Sequence, residues 1–504
     1  MKVTLAICAA VILLPATARA AETPPLKAGF AEADITPKIG MEAPGGYGKS
    51  YHQTVHDPCK VRVAVFDDGK KRIAVAAVDA LALHGVMVQA VRKAVTAKCG
   101  IPAEAIMVCA SHSHSSGPVF GFGTTPDEFK DASPLVRKLA YEQSTSVDPE
   151  YYTMVEKQIV AALCEADANR LPMRCGAGKG SESQAAFNRR FRMKSGLSFT
   201  HPGQGNPDIV EPAGPTDPEV GVVGAWDEKG ELRGCLVNFA CHATTSPGGI
   251  SANYVFYLEQ AIRGMFGPKV VVVFLAGTCG DVTQVDNRSP YVQPAGERWA
   301  KLVGGRVGAE AVKVLLTIEP GTLAPLDAAT KVLEFKRRAP RPERLKAALE
   351  MVEKKPEEVG GHTPWIFAKE IVLLDASLAK APVAEVEVQA LQVGPVVLLG
   401  LPAEVFCQFG LDMKAKSGFP LTFPVTFANG CVGYIPTEEA FGPRGGGYET
   451  RLTSYTNLDI TAGRRMVEAA VELSRQMKPG AIPTPPKAKP GTPWSYGNVP
   501  PEVD

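Results

Sequence analysis

The sequence predicts an α/β protein with a mixed central β-sheet flanked by helices, built as a single large domain. Short apolar runs rich in Val, Ile and Leu recur along the chain and mostly lack alternation, which is typical of strands buried on both faces. Stretches with helical periodicity separate these runs, and this succession of strands and helices favours the α/β class. The length of 504 residues is enough for a sizeable core.

The apolar runs and the helical stretches give the predicted elements in chain order. Strands are predicted over residues 61–66, 72–78, 105–109, 234–240, 270–276 and 393–401. Helices are predicted over residues 86–97, 149–168, 257–265, 296–316 and 342–353. The charged stretch 337–361 is expected to be a helical excursion on the surface, and no internal repeat is visible. We therefore expect one domain over residues 24–478, followed by an extended Pro-rich tail over residues 479–504.

The N-terminal segment, residues 1–20, has the pattern of a secretory signal peptide. Lys2 supplies a short positive region, residues 5–14 are apolar, Pro15 ends that run, and the Ala-Arg-Ala at 18–20 has the small-x-small pattern of a cleavage site. The apolar run is too short to span a bilayer. We expect cleavage near Ala20 and an exported chain, periplasmic or secreted, without a transmembrane anchor.

The charge balance argues against two classes of partner. The chain has 54 basic and 53 acidic side chains and no long run of Lys or Arg. Nucleic acids and anionic membranes favour basic surfaces, so neither is expected as the main partner. The eleven cysteines are widely spaced without a CxxC pair, and buried free thiols are expected at Cys109, Cys241 and Cys279. The disulfide pairing and the oligomeric state stay open.

Two histidines leave the predicted strand 105–109 together. The strand runs into the loop Ser-His-Ser-His-Ser-Ser-Gly-Pro at 111–118, in a chain with only eight histidines. His112 and His114 are two residues apart, so they share one face if the segment is extended. Ligand-binding groups gather at the carboxyl ends of strands in open α/β sheets, which favours a functional site here. A loop of hydrogen-bonded polar side chains is the alternative.

Three further groups follow predicted strands, namely His242, Glu404 and Asp281. Two histidines and one glutamate form a common catalytic zinc set, with positions left open for water and substrate. Asp281 lies in a Gly-containing turn whose backbone amides could face an oxyanion, and its carboxylate could orient a ligand histidine. Each residue has an alternative interpretation. His242 could be a histidine of the core, Glu404 could lie in the first turn of a helix, and Asp281 could close a tight turn.

The loop His-Ser-His-Ser-Ser-Gly-Pro at 112–118 resembles the His-Thr-His-Ser-Gly-Pro motif of the neutral (non-lysosomal) ceramidases. The segment Gly-Phe-Ala-Glu-Ala-Asp-Ile-Thr-Pro at 29–37 is similar to the opening Gly-x-x-x-x-Asp-Ile-Thr of that family, and the resemblance extends to about Tyr448. Several separate motifs occur in the family's order. The chain thus looks like the catalytic domain of a shorter, bacterial-type relative that ends in a Pro-rich tail instead of the family's immunoglobulin-like domain.

The resemblance implies a zinc site and the groups around it. In the family one zinc ion is held by two His, a Glu and a Tyr, which carry over to His112, His242, Glu404 and Tyr434. His114 carries over as a contact to the reacting group, and Arg189 and Tyr448 carry over as groups that polarise the substrate. Composition alone would not nominate Tyr434, which otherwise looks like a strand aromatic.

The resemblance also implies the reaction, which is hydrolysis of an amide bond in a small or lipid-like N-acyl substrate by metal-activated water. Gly277 stands where the family has a serine proposed as a nucleophile, which disfavours an acyl-enzyme route. Zinc is expected rather than iron or manganese because two imidazoles suit it. Two alternatives stay open: hydrolysis of an ester, lactone or glycoside on the same scaffold, and a non-catalytic exported binding protein with a structural metal.

Overall fold

The computed structural model describes residues 26–121, 123, 125–291 and 294–504. The predicted signal peptide at 1–20 lies outside the described residues. None of the helices in the described part of the chain combines the length and the apolar character that crossing a membrane requires.

The strands and helices fall into three consecutive parts of the chain. The first part contains β1 (Lys27–Asp34), β2 (Lys60–Asp67), β3 (Arg72–Val78), α1 (Gly85–Cys99), β4 (Ile106–Ala110), α2 (Pro134–Arg137), α3 (Pro149–Ala168) and β5 (Leu171–Pro172). The second contains β6 (Arg174–Ser181), β7 (Phe187–Asn188), β8 (Arg190–Met193), β9 (Ser198–Thr200), β10 (Ile209–Pro212), β11 (Glu219–Trp226), β12 (Leu232–Phe239), α4 (Tyr254–Phe266), β13 (Val271–Ala276), β14 (Val282–Thr283) and α5 (Glu297–Thr317). The third contains β15 (Leu326–Lys336), α6 (Pro342–Val352), α7 (His362–Leu378), β16 (Val383–Val393), β17 (Val396–Gly400), β18 (Glu404–Val405), α8 (Cys407–Lys416), β19 (Leu421–Val425), β20 (Tyr434–Ile435) and α9 (Ala462–Arg475).

Each part contains a four-strand unit of the same topology. The sheet orders are β4-β3-β2-β1 with β5 added at the edge, β13-β12-β11-β6, and β19-β17-β16-β15. In every unit the first three strands pair antiparallel and the fourth returns parallel to the third. The connecting helices are α1, α4 and α8. A parallel pair needs such a crossover, which explains the helix at the same place in each unit.

One hydrophobic core contains side chains from all three units, and a second core lies between the third unit and the helices α8 and α9. Strand β13 is buried along its whole length and packs against β2, β3 and β19 of the other units. Single backbone bridges also join the units, at Ser113 with Ala243 and at Cys109 with Ala428. The turns that follow the parallel strands therefore meet at one place, the carboxyl ends of the strands, where binding sites form in α/β sheets.

The α/β class is confirmed, and the strands are distributed over several mixed sheets. The predicted strands and helices are present with small shifts of their ends. The run 393–401 differs, because a turn at Gly394 divides it between β16 and β17. The excursion that begins at 337 leads from the largely exposed α6 to α7, whose apolar side packs against residues 129–140. Residues 479–504 contain no helix or strand and are mostly exposed.

Candidate metal centre

A cleft of about 450 Å³ opens where the three units meet. Its walls come from turns that follow strands, from the loop at 45–47, and from Phe120, Gly121 and Thr145. The lining includes every predicted metal ligand except His242, together with the predicted catalytic groups His114 and Tyr448. His242 lies directly below, with its ring centroid 4.5 Å from that of His112. The residues that line the cleft are Gly45, Gly46, Tyr47, Leu81, His112, His114, Phe120, Gly121, Thr145, Glu404, Tyr434, Tyr448 and Tyr455.

His112 is held in a strained backbone conformation. Its φ of 62° lies in the left-handed region, which non-glycine residues rarely adopt. The imidazole stacks on Phe427 with ring centroids 4.0 Å apart, and Phe427 also has a positive φ, of 54°. Nδ1 lies 2.8 Å from the carbonyl oxygen of Leu81, to which it must donate because that oxygen only accepts. Nε2 therefore carries no proton in the neutral ring and presents its lone pair to Glu404.

His242 is oriented in the same way by a different carbonyl group. Its Nδ1 donates to the carbonyl oxygen of Cys279 at 2.6 Å. Its Nε2 lies 3.0 Å from Oε2 of Glu404, and Nε2 of His112 lies 3.3 Å from the same oxygen. Burial, together with the nearby Arg189, lowers the pKa of His242 to about 4, so the ring is neutral near pH 7. Two imidazole lone pairs thus face one carboxylate oxygen.

This arrangement fits a cation. Nε2 of His242 and Oε2 of Glu404 are buried acceptors without a hydrogen-bond partner, which is costly unless a positive ion satisfies both. The ligand atoms of His112, His114 and His242 lie within 4.8 Å of one another. His114 was expected on the substrate side, and its Nε2 lies 3.2 Å from Nε2 of His112. Imidazole nitrogen with carboxylate oxygen is a donor set that zinc accepts.

Tyr434 stands next to Glu404 because β18 and β20 pair in parallel, with these two residues as partners. The ring is buried and lines the cleft. The guanidinium of Arg189 lies over the ring at 5.4 Å from its centroid. Burial raises the pKa of Tyr434 well above its usual value, whereas Arg189 opposes that rise. The structure places Tyr434 in the site, and its role as a ligand stays a prediction.

Arg189 lies between β7 and β8, and its guanidinium contacts the ring of Tyr434, which lines the cleft. Its Nε donates to Oε1 of Glu449 at 2.7 Å, and Nη2 donates to the carbonyl oxygen of Gly280 at 2.8 Å. Tyr448, next to Glu449, donates its hydroxyl to the hydroxyl of Tyr47 at 3.2 Å. Burial raises the pKa of Tyr448 to about 12, so the phenol keeps its proton near neutral pH. Both predicted polarising groups therefore line or adjoin the cleft.

Asp281 has a different role from the one predicted. Its Oδ1 accepts from the backbone N–H of Cys407 at 2.8 Å, and its Oδ2 accepts from Nδ2 of Asn188 at 2.8 Å. The imidazole of His242 is oriented by the carbonyl of Cys279 instead. The physical reason is that α8 begins at Cys407, and its free N–H groups need an acceptor. Asp281 fixes the turn below the site and does not orient a ligand histidine.

Two important residues had no signal in the sequence. Tyr455 donates its hydroxyl to Oε1 of Glu404 at 2.7 Å and so orients the carboxylate. Glu449, buried completely, pairs with Arg189. Glu449 lies in a short 3₁₀ helix and Tyr455 in a bend, and neither periodicity nor a motif points to them. A buried charge needs a partner, but sequence does not say which partner.

Removing the hydroxyl of Tyr455 is expected to weaken metal binding. The variant Tyr455→Phe leaves Glu404 without the hydrogen bond that orients it, and losing such a contact typically costs about 10- to 100-fold in metal affinity. Competition against a zinc chelator measures the change. Tyr291→Phe removes a hydroxyl from a ring that is 89 % exposed, and it should bind zinc like the parent chain. Equal affinities for both variants would contradict the role assigned to Tyr455.

Comparison with solved structures finds the same architecture in two ceramidases. A structure described as ceramidase complexed with C2 matches with a TM-score of 0.67 and 20 % identity, over 91 % of this chain and 77 % of the other. The chain has the neutral ceramidase fold. The neutral ceramidase of Pseudomonas aeruginosa matches with a TM-score of 0.65 and 22 % identity, over 92 % of this chain and 76 % of the other. Neither a protein-family model nor a curated protein matches the sequence.

Within the neutral ceramidase fold, the turn after β13 leaves little room for a serine at 277. A Cβ added to Gly277 would lie 3.0 Å from backbone atoms of Ala240. The neighbouring Thr278 is buried, and its hydroxyl points at α8, where a Cβ on Gly410 would come within 2.0 Å of it. The hydroxyl has no hydrogen-bond partner. Neither position offers a nucleophile to the cleft.

The variant Thr278→Val is expected to keep its activity and to gain stability. The hydroxyl it loses is buried without a partner, and replacing such a group by a methyl group should raise the free energy of unfolding by about 1 kcal/mol. Denaturant unfolding and steady-state kinetics measure the two effects. A fall in turnover of more than about tenfold, which is about 1.4 kcal/mol in barrier height, would implicate Thr278 in the chemistry.

Proposed function

We propose that this chain is a zinc-dependent hydrolase that cleaves the amide bond of an N-acyl, ceramide-like substrate. One observation carries the proposal: the Nε2 atoms of His112 and His242 converge on Oε2 of Glu404 below an open cleft. The neutral ceramidase fold supports the reaction class. Export of the chain is part of the proposal and rests on the pattern of residues 1–20.

The metal would be held by His112, His242 and Glu404, with Tyr434 as the fourth ligand. Three of these four side chains are fixed by hydrogen bonds or stacking, which lowers the entropy lost when an ion binds. A zinc ion in this position supplies a Lewis acid that polarises an acyl carbonyl and activates water.

The residues around the ligands would stabilise the charge that develops on the carbonyl oxygen. Arg189 brings a permanent positive charge, and Tyr448 brings a protonated hydroxyl. Preorganised donors of this kind stabilise an oxyanion because they need no reorganisation during the reaction. Glu449 and the carbonyl of Gly280 fix the direction of the guanidinium.

His114 would transfer the proton that the leaving amine needs. Burial lowers the pKa of His114 well below its usual value, and the nearby His112 and His242 add to the effect. The neutral ring accepts a proton from attacking water and passes it to the amine nitrogen as the bond to carbon breaks. Gly45 keeps the loop close to this ring, because a Cβ there would lie 2.3 Å from Nδ1 of His114.

The test is hydrolysis by the purified chain of N-acylsphingosines with short, medium and long acyl chains. Mass spectrometry should find free fatty acid and free sphingosine in equal amounts. Chelation should abolish the release and added zinc should restore it. Matched esters and other N-acyl amines test the reaction class. No amide cleavage by zinc-loaded protein, or undiminished cleavage by metal-free protein, would overturn the proposal.

A further inference from the structure

Two cysteines outside the candidate metal centre lie in direct contact. Cys99 is the last residue of α1, Cys164 lies in α3, and their Sγ atoms are 2.8 Å apart. Even carbon atoms, which are smaller, pack at about 3.5–4.0 Å when they are not bonded. Both side chains are only partly buried. The pair is therefore reachable from solvent and too close for two thiols at rest.

The side chain of Arg72 already holds the two helices together at this point. Nη1 of Arg72 donates to the carbonyl oxygen of Cys99 at 2.9 Å and to Oδ1 of Asp167 at 3.1 Å. Asp167 follows Cys164 by three residues, so both lie on the same side of α3. Nη2 of Arg72 donates to the carbonyl oxygen of Gly100 at 3.1 Å. Closing a covalent bond here requires little movement of either helix.

We propose that Cys99 and Cys164 are a disulfide pair that closes when the folded chain meets a disulfide oxidant. One thiol loses its proton and attacks the oxidant, which can be a small-molecule or protein disulfide. This step releases one half of the oxidant as a thiol and leaves a mixed disulfide with the other half. The second thiol then loses its proton, attacks the mixed disulfide and displaces that other half. The sulfur–sulfur bond forms, two electrons pass to the oxidant, and the oxidant leaves as two thiols. Export from the cytoplasm would bring the chain to such an oxidant.

The chemistry of Cys99 favours persistence of the bond. Burial, together with the neighbouring Cys164, raises the pKa of its thiol to about 12. A thiol with a high pKa is a poor leaving group, so reduction of its disulfide is slow. This is the behaviour of a structural cross-link rather than of a redox-active pair.

The disulfide would join the two ends of the segment that contains the histidine loop. The two cysteines are 65 residues apart in sequence, and the segment between them includes β4, His112 and His114. Cross-linking a segment of this length restricts the unfolded chain far more than the folded one. We expect the oxidised form to have a thermal midpoint about 5 °C above that of the reduced form.

The test begins with the full-length chain in reduced form, equilibrated with glutathione buffers of increasing oxidised fraction. Free thiols are then alkylated, and the protein is digested without reduction for mass spectrometry. A cross-linked peptide containing Cys99 and Cys164 should appear while the other described cysteines are alkylated. Alkylation of both residues, or separate glutathione adducts on each, at the most oxidising ratio would overturn the proposal.

Variants connect the bond to the stability change. The double variant Cys99→Ser, Cys164→Ser should lose the difference in thermal midpoint between oxidising and reducing buffers. The matched control Cys175→Ala removes a thiol that is buried in strand β6, and this variant should keep the difference in thermal midpoint. A difference that persists in the double variant would assign the effect to other cysteines and contradict the proposal. The readouts need no substrate and no metal, so they stand apart from the test of hydrolysis.

Discussion

Substituting His242 by alanine is expected to lower kcat/KM for N-acyl hydrolysis by at least about 10³-fold and to abolish tight zinc binding. The imidazole is completely buried, and its Nε2 faces Oε2 of Glu404 at 3.0 Å. Without it, the carboxylate and His112 are left with too few donors for a tetrahedral site. Zinc content by elemental analysis and steady-state kinetics on the same preparations measure both effects, and His112→Ala should behave in the same way.

A matched control is available on α7. His362 is exposed at the first position of that helix, so His362→Ala removes an imidazole without touching the cleft. It should retain the parent chain's zinc content and turnover. Full zinc occupancy together with full turnover in both His112→Ala and His242→Ala would remove the basis of the proposed function. If turnover is lost while zinc is retained, the role of these histidines is substrate contact and not metal binding.

Neutralising Glu449 is expected to cost about 3–5 kcal/mol of folding stability, the usual cost of leaving a buried charge without its partner. Its carboxylate is fully buried and accepts from Nε of Arg189 at 2.7 Å, while Nε of Arg190 lies 3.5 Å from its other oxygen. In Glu449→Gln both guanidinium groups stay buried without the carboxylate that pairs with them. Denaturant unfolding at fixed metal content measures the loss.

The same variant should lower turnover, because Arg189 loses the contact that fixes its direction. Glu439→Gln is the matched control, since its side chain is 67 % exposed in the pair with Arg192. Surface pairs of this kind contribute about 0–1 kcal/mol, so the control should unfold like the parent chain. A loss below about 1 kcal/mol in Glu449→Gln would show that water reaches the pair and that the site is more open than its burial indicates.

Three of the four proposed metal ligands could be predicted because strand ends are visible in the sequence. His112, His242 and Glu404 each follow an apolar run that has to be buried on both faces, and parallel strands bring such ends together. Tyr434 came from the resemblance alone. Its neighbour Glu404 pairs with it through two short strands that no periodicity marks.

Other parts of the site depend on contacts that only the folded chain defines. The hydroxyl of Tyr455 donates to Glu404, which is 51 residues away in sequence. Asp281 accepts a hydrogen bond from the first residue of α8. The repeated topology could not be detected in the sequence either, because a buried strand requires apolar side chains but many different apolar residues meet that requirement. The three units therefore share their hydrogen-bonding pattern without sharing a recognisable sequence.

The repeated unit divides the metal centre into pieces that are each prepared in advance. The first unit supplies His112 and the Leu81 carbonyl that orients it, and the second supplies His242 with the Cys279 carbonyl. The third supplies the carboxylate of Glu404. Each imidazole is thus aimed by its own unit, and only docking of all three brings the donors within reach of one ion. For the proposed zinc ion, affinity would then depend on tertiary assembly. A chain with any one unit undocked would have an incomplete set of donors, and a bound ion would add its binding energy to the fully docked state alone.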